Sequence, residues 1–322
     1  MNKIKIGILG GAGYTGGELL RVLVHHPNAE IVFVNSQSNT GKKITEVHTD
    51  LIGDTDLIFS NTEVIEGIDL LFLCVGHGQA IKSLNQFQYS PKLKIIDLSQ
   101  DHRLQPSNFI YGLPELNRDA IKNAQYIANP GCFATCIELA LLPLAALNGL
   151  NNPVHISAAT GATGAGQALS ASTHFAWRHN NLSIYKAFEH QHLAEIGQSL
   201  NQLQPNFTAE LNFIPHRGSF SRGIFAGIYT KCEFSIEDIQ QQYEKFYLNH
   251  PFVHISSNPI DLKQVVNTNK CLLYLEKHGD KLLITGCIDN LLKGASGQAV
   301  QNMNLMFGLD ETTGLKLKSI NF

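Results

Sequence analysis

Residues 4–23 read IKIGILGGAGYTGGELLRVL. Ile4 to Leu9 is a short apolar run, residues 10–16 are rich in glycine, and between Glu18 and His25 the apolar residues Leu19, Leu20, Val22 and Leu23 recur at helical spacing. The order predicts strand, tight turn, helix. Gly11, Gly13 and Gly16 fit G-x-G-x-x-G, in which missing side chains let backbone N–H groups approach a pyrophosphate at the positive end of a helix. A glycine-rich turn can also be only a turn, and the flanking strand and helix are what favour dinucleotide binding. The expected cofactor contacts here are Gly11, Gly13, Tyr14, Thr15 and Gly16.

The next strand, Glu30 to Val34, runs into Asn35-Ser36-Gln37-Ser38-Asn39, with no acidic residue to hold a ribose 2′-hydroxyl. Ser36 and Ser38 can hydrogen-bond a 2′-phosphate, and Lys42 and Lys43 are either its counter-charge or an exposed loop pair, so NADP is expected over NAD. Leu70 to Val75 and Leu93 to Leu98 are nearly all apolar, as parallel strands covered on both faces are. The segments after them, Cys74-Val75-Gly76-His77-Gly78 and residues 97–103 (DLSQDHR), then fall at strand carboxyl ends, where open α/β sheets place ligands. Gly76 and His77 are read as cofactor-side loop residues, and Arg103 as an anion clamp or an ordinary ion pair. The fold class expected is α/β, a Rossmann-like dinucleotide-binding domain followed by an α+β catalytic and oligomerisation domain.

Asn129-Pro130-Gly131-Cys132 precedes a run of helix formers with an apolar face, so Cys132 is expected to open a helix. A thiol there feels the helix dipole and free N–H groups, which stabilise a thiolate and can later hold an oxyanion. The alternative is a buried small hydrophobe, poorly suited to a proline-glycine turn. Cys136, one turn later, is read as packing.

After about residue 150 the pattern changes to strands with long connections. Residues 156–166 (ISAATGATGAG) read as a strand running into a loop. Residues 185–195 (YKAFEHQHLAE) bring His190, His192 and Glu195 together; if helical, His192 and Glu195 share a face, and a carboxylate that orients a histidine is an acid-base arrangement. His-x-His with a glutamate is also a partial zinc set, but no third strong ligand is evident and no metal is expected. Residues 215–224 (PHRGSFSRGI) concentrate cationic donors: Arg217 and Arg222 can grip a phosphate or carboxylate, with His216 a secondary candidate among 14 histidines.

Length and composition bound the rest. A chain of 322 residues suits two domains, and 43% hydrophobic residues, 16% charged residues and a net charge of −3 describe a globular chain without the basic runs of nucleic-acid or anionic-membrane binding. No apolar run reaches a membrane-spanning length, and no secretory signal precedes Lys3, so the expected location is cytoplasmic. Six irregularly spaced cysteines fit neither a disulfide framework nor a zinc site.

GGAGYTG, DLSQDHRL, YGLPE, NPGCFAT, GATGAG, PHRGSFSRGI and DNLLKGASGQAVQNMNLMFGLDETTGL, in this order across almost the whole chain, resemble N-acetyl-gamma-glutamyl-phosphate reductase of arginine biosynthesis. The resemblance implies NADPH-dependent reduction of an N-acyl-γ-glutamyl phosphate to the 5-semialdehyde, with Cys132 as nucleophile. The family's histidine block is close to HRHTPE; here His190, His192 and Glu195 remain while Gln191, Leu193 and Ala194 differ, which leaves N-acetyl and N-succinyl substrates open. Tyr185 is a positioning candidate beside substrate, and Asn290 in the last block a cofactor-side one. The resemblance also implies a C-terminal helix, with Ala299, Val300, Met303, Leu305 and Met306 as its apolar surface, returning to the nucleotide lobe. The expected domains are 1–136 with 300–322 for NADP, and 137–299 for substrate, catalysis and assembly into a dimer or tetramer. The rival readings are an aspartate-semialdehyde dehydrogenase-like enzyme and a redox-sensing dinucleotide-binding protein.

Overall fold

The first strand, β1 (Ile4–Leu9), buries every residue except Lys5, because it lies inside a sheet rather than at its edge. In the computed structural model, which describes residues 3–61 and 65–320, its sheet has seven strands. The others are β2 (Ala29–Asn35), β3 (Phe59–Ser60), β4 (Leu70–Leu73), β5 (Lys94–Asp97), β6 (Ile110–Tyr111) and β7 (Tyr126–Ala128). Their order is β3-β2-β1-β4-β5-β7-β6 and every pairing is parallel. The direction of winding reverses between β1 and β4, and that switch point is where such sheets open a crevice for a ligand. The helices α1 (Tyr14–Leu23), α2 (Ala80–Gln86) and α3 (Pro114–Asn123) follow β1, β4 and β6.

Helix α1 begins at Tyr14, four residues before its apolar spacing becomes visible in the sequence. The glycines explain the difference. Gly10 has φ +79, and a Cβ on it would lie 2.5 Å from the Cys74 carbonyl oxygen. A Cβ on Gly16 would fall 2.7 Å from the Gly11 backbone, so the first helical turn packs directly on the turn before it. Gly13 is the N-cap, with extended backbone and no atom nearer than 3.9 Å to a Cβ placed there.

The chain divides into two compact units: Met1–Pro130 with Ala295–Lys316, and Gly131–Gly294 with Leu317–Phe322. In the first, the C-terminal helix Gly297–Met306 buries all ten of its residues. It is pegged by polar groups as much as by the apolar surface expected of it. Asn302 Nδ2 donates to the Gly112 carbonyl (2.8 Å) and to Asn129 Oδ1 (3.2 Å), and just before the helix Ser296 Oγ donates to the Thr15 carbonyl (2.8 Å).

The second unit carries a mixed sheet of β8 (Val154–Thr160), β9 (Ser183–Ile184), β10 (Leu211–Arg217), β11 (Ile224–Lys231), β12 (Val253–Ser256), β13 (Cys271–His278) and β14 (Lys281–Ile288), in the order β12-β13-β14-β11-β8-β10-β9. Its helices are α4 (Cys132–Ala146), α5 (Phe175–Arg178), α6 (His192–Leu203) and α7 (Ile236–Tyr247). Strand β11 alternates strictly, with Ile224, Ala226 and Ile228 buried while Phe225 and Tyr229 are exposed. The buried face meets α4, which also touches α6 and α7; Tyr243 of α7 donates its hydroxyl to the Ala140 carbonyl at 2.6 Å. The opposite face of the sheet is left partly open.

The two glycines of the first turn make opposite predictions. Gly16→Ala should lower the thermal midpoint clearly, because the clash is with backbone, whereas Gly13→Ala should cost no more than the ordinary N-cap loss of about 0.5–1 kcal/mol. Thermal unfolding of both variants tests this, and equal losses would contradict the packing described.

Candidate active site

Cys132 is the first residue of α4, held by the extended N-cap Gly131, so its sulfur lies beside N–H groups that no intrahelical carbonyl accepts from. The thiol is half-buried, while Cys136 is fully buried and its pKa is pushed well above the usual thiol range by burial. Only the first is disposed to react. Two glycines make the room around it. A Cβ on Gly294 would lie 2.9 Å from Cys132 Cβ, and a Cβ on Gly131 would lie 2.4 Å from His192 Nε2, so the imidazole of His192 rests on the backbone that leads into the thiol.

His192 opens α6, and Glu195 sits in its first turn. Glu195 does more than face the histidine: its Oε2 accepts the Gly131 N–H at 2.9 Å, whereas its Oε1 is 3.9 Å from His192 Nε2, too long for a hydrogen bond. The buried carboxylate therefore fixes the turn that leads into Cys132. A second tie joins the same helices, with Ser199 Oγ of α6 donating to Glu138 Oε1 of α4 at 2.7 Å. Sequence reading missed both Glu138 and Ser199; a carboxylate inside an apolar helix was the available signal.

His190 is not helical. It follows a segment with Lys186 and Phe188 in the left-handed region (φ 45 and 63), a strained conformation for a phenylalanine, held where the Phe188 N–H donates to the Phe213 carbonyl at 2.8 Å. The His192 N–H donates to His190 Nδ1 at 3.2 Å, which places the proton of the neutral ring on Nε2. The two imidazoles stand nearly perpendicular, 4.5 Å between centroids, and Phe133 and Phe213 close around His190. Burial lowers the His190 pKa to about 4, with the nearby Lys186 charge adding to the effect. The ring is therefore neutral at physiological pH.

Tyr185 stands 5.8 Å from His190, centroid to centroid, and its phenol is pushed up to about 12 by burial and then by the charge of Cys132. The guanidinium of Arg217 lies 4.5 Å from the centre of the Tyr185 ring. Arg217 Nε is buried with no acceptor among the described residues, and Thr160 Oγ1, at the position paired with Arg217 across β8 and β10, is buried without a partner as well. Two such neighbouring groups are costly unless something else satisfies them, and an anionic ligand would.

Other expected residues are used differently. His216 falls on the opposite face of β10 from Phe213 and Arg217, by the alternation of the strand, and so points away from the thiol. Arg222 is committed to Asp289, donating from Nε to Oδ2 and from Nη2 to Oδ1, each at 3.1 Å. Asp289 also accepts the N–H groups of Asn267, Leu291 and Leu292, so this is a loop anchor rather than a free clamp. Asn290 lies in the second unit and spends its amide there, accepting the Gly223 N–H at 2.6 Å and donating to Thr163 Oγ1 at 3.0 Å. Arg103 is buried in the first unit, with Nη2 donating to the Leu98 carbonyl at 3.0 Å.

In that first unit the turn at Gly11, Gly13 and Gly16 leads into α1, which has no acidic residue in its first turn and no side-chain cap. Its N-terminal N–H groups and the open space above Gly13 form a cradle that a pyrophosphate fits. Tyr14 is partly exposed at the helix start, and Thr15 hydrogen-bonds the Cys74 thiol, whose pKa burial raises to about 12. After β2, Asn39 Nδ2 donates to both Ser36 Oγ (3.3 Å) and Ser38 Oγ (3.1 Å), and Lys42 Nζ donates to Asn39 Oδ1 (3.2 Å). This cluster is cationic and rich in donors, as a 2′-phosphate requires; Lys43 turns instead toward Asp56 at 3.8 Å. His77 Nδ1 accepts the Gln100 N–H, and Asp101 accepts from Gly78 and Ala80, bracing the loop that contains Gly76. No group of three or more His, Cys, Asp or Glu among the described residues is placed to hold a metal ion.

The depressed His190 pKa has a definite consequence for stability. Between pH 6.5 and about 4 the unfolded chain takes up a proton here that the folded chain does not, so folding becomes less favourable as pH falls through that window and is unaffected above it. His190→Gln should therefore gain thermal midpoint relative to the parent as pH drops from about 7 to about 4.5. A difference independent of pH would contradict a neutral His190.

Residues 5–124 match the family model described as semialdehyde dehydrogenase, NAD binding domain, and residues 132–290 that described as semialdehyde dehydrogenase, dimerisation domain. A protein of Bacteroides fragilis named N-acetyl-gamma-glutamyl-phosphate reductase is 60% identical over 321 residues, covering 99% of this chain and 100% of its own. One of the same name from Flavobacterium johnsoniae is 56% identical, with the same coverage. Among solved structures, aspartate semialdehyde dehydrogenase II from Vibrio cholerae has a TM-score of 0.76 over 95% of this chain and 99% of that one, at 16% identity, which speaks for the fold alone. The chain belongs to the semialdehyde dehydrogenase family and, within it, to the N-acetyl-gamma-glutamyl-phosphate reductases.

Proposed function

We propose that this chain reduces an N-acyl-γ-glutamyl phosphate, N-acetyl or N-succinyl, to the N-acylglutamate 5-semialdehyde with release of phosphate, a step of arginine biosynthesis, with NADPH as reductant. The observation that carries the reading is the half-buried Cys132 at the start of α4, with the His192 ring on the adjoining Gly131 backbone and Glu195 holding that turn. The Cys132 thiolate attacks the acyl carbon; the C–S bond forms as the C–O bond to phosphate breaks, and a thioester remains on the enzyme. The N–H groups at the start of α4 hold the oxyanion, and such preorganised donors contribute roughly 10²-fold or more each to the rate.

Gly11, Gly13 and Gly16 with the start of α1 would hold the cofactor's pyrophosphate, and Ser36, Ser38 and Lys42 its 2′-phosphate. When bound, the cofactor supplies hydride to the thioester carbon. The tetrahedral intermediate then collapses to the aldehyde as the C–S bond breaks, and His192 protonates the departing sulfur, so that Cys132 returns as the thiol. His190, neutral, presents its Nε2–H as a fixed hydrogen-bond donor. Arg217, with Thr160 beside it and Tyr185 beneath its guanidinium, takes an anionic group of the substrate.

The family description of residues 132–290 as a dimerisation domain fits a homo-oligomer, and we infer a dimer, or a tetramer built from dimers, joined through the open face of the second sheet. On that face Phe225 and Tyr229 stand exposed, Tyr229 in a cross-strand row with His155 and Leu283, and this surface can pack on a second copy. All six cysteines are free thiols, as a reducing cytoplasm keeps them, and no helix among the described residues is long and apolar enough to cross a membrane.

The assay runs the reaction in the oxidative direction. With phosphate and NADP, N-acetyl- or N-succinylglutamate semialdehyde should be oxidised and aspartate semialdehyde should not; the reverse order would overturn the reading. Arg217→Met should raise KM for the preferred aldehyde by about tenfold or more with a smaller change in kcat. An unchanged KM would remove Arg217 from the binding site.

A further inference from the structure

Helix α1 holds a second glycine next to the one its turn requires. Gly17 follows Gly16 inside the helix and outside the G-x-G-x-x-G pattern, in a place where glycine weakens a helix. The space its side chain would take is filled by the ring of His48: a Cβ on Gly17 would lie 2.5 Å from His48 Cε1 and 2.6 Å from His48 Nδ1. The same ring donates from Nε2 to the Gly11 carbonyl at 2.8 Å, since a carbonyl oxygen can only accept. One imidazole thus lies across the start of α1 and reaches the backbone of the glycine turn.

His48 is itself held in place. It lies between two short 3₁₀ turns, Ile44–Glu46 and Thr49–Leu51, of the connection from β2 to β3. Its N–H donates to the Ile44 carbonyl at 2.8 Å, and its carbonyl accepts the Leu51 N–H at 3.1 Å. Ile44 and Leu51 are buried, and the Phe59 ring of β3 stands 6.2 Å from the imidazole, centroid to centroid. Asp50 Oδ2 lies 3.0 Å from Arg21 Nε, so the connection is fastened to α1 at a second point. A side chain locked by such packing holds its donor in one direction.

Gly11 is fastened at both ends, because its N–H donates to the Asn35 carbonyl at 3.0 Å while its carbonyl is taken by His48. The peptide that follows is trans, and in a trans peptide the N–H points opposite to the C=O. The Ala12 N–H is therefore turned away from His48. Successive N–H groups directed to one side form a concavity for an anion, and a carbonyl left unpinned among them would swing its negative end into the same space.

We infer that His48 is a positioning residue of the cofactor site: it draws the Gly11 carbonyl out of the pyrophosphate cradle and so points the Ala12 N–H into it. The inference rests on the reading of this turn as the NADP site. His48 acts through the peptide between Gly11 and Ala12 rather than by contact with the ligand, and Gly17 is glycine to admit the ring that does so.

Direct binding to the apo protein tests this with two probes: 2′-phospho-ADP-ribose, which carries the pyrophosphate, and adenosine 2′-phosphate, which does not. His48→Ala should raise the Kd of 2′-phospho-ADP-ribose about fivefold or more, the scale of one hydrogen bond, and leave that of adenosine 2′-phosphate unchanged. His48→Gln, whose amide N–H replaces the Nε2 donor, should restore the affinity. Gly17→Ala should displace the ring and weaken 2′-phospho-ADP-ribose binding in the parent, yet add nothing in the His48→Ala background. Thermal unfolding of each variant accompanies the titrations. Equal loss for both probes, or a lowered thermal midpoint with both affinities intact, would make His48 a structural prop and overturn the inference, and so would additive effects of the two substitutions. Gly17→Ala with unchanged affinity for 2′-phospho-ADP-ribose would overturn it equally, whether or not His48→Ala folds. A parent that binds adenosine 2′-phosphate but gains nothing from the added pyrophosphate and ribose would defeat the reading of the turn as the pyrophosphate site, and the inference with it.

Discussion

The site depends on one hydrogen bond, the Gly131 N–H to the buried carboxylate of Glu195. A helix leaves its first N–H groups without partners, and those groups become catalytic only if the turn before them is fixed and nothing else occupies them. Glu195 takes the Gly131 donor, which lies outside α4, and in the proposed reaction the helical N–H groups beside Cys132 serve the substrate. The same carboxylate belongs to the helix that carries His192, so Cys132 and His192 are fixed to each other rather than separately to a scaffold. The Ser199–Glu138 hydrogen bond repeats the fastening further along the two helices. Rotation of α6 against α4 would have to break both.

The nucleotide turn follows the opposite strategy, in which side chains are removed instead of added. Gly16 is required because backbone stands where its Cβ would be, whereas a Cβ on Gly13 would meet nothing nearer than 3.9 Å. Within one six-residue motif, one glycine thus answers to folding and the other, on the proposed reading, to binding. The N-terminal end of α1 carries no capping side chain of its own, a deficit that an anion would fill.

Much of this was legible in the residues. The all-parallel sheet followed from the continuous apolar runs at 70–75 and 93–98, although the strands end earlier than those runs, at Leu73 and Asp97. Cys132 at a helix start followed from Pro-Gly before a run of helix formers. Three features were hidden because they are set by pairing between distant segments. His190 lies outside the helix that spacing would give it, held by bonds to β10. Arg222 is claimed by Asp289, 67 positions away, which no local pattern reveals. His216 and Arg217 are adjacent in sequence yet face opposite sides of one strand, and only the strand's pairing tells which side holds the thiol. The partial burial of Tyr185 beneath Arg217 belongs to the same class.

The central claim is that the acyl group passes through Cys132, and it can be observed before any reduction occurs. Protein incubated with N-acyl-γ-glutamyl phosphate in the absence of NADPH, quenched in acid and digested, should yield the Cys132 peptide heavier by the acyl group, with phosphate released in equal amount. Phosphate release without that adduct, or an adduct on any other residue, would contradict the account.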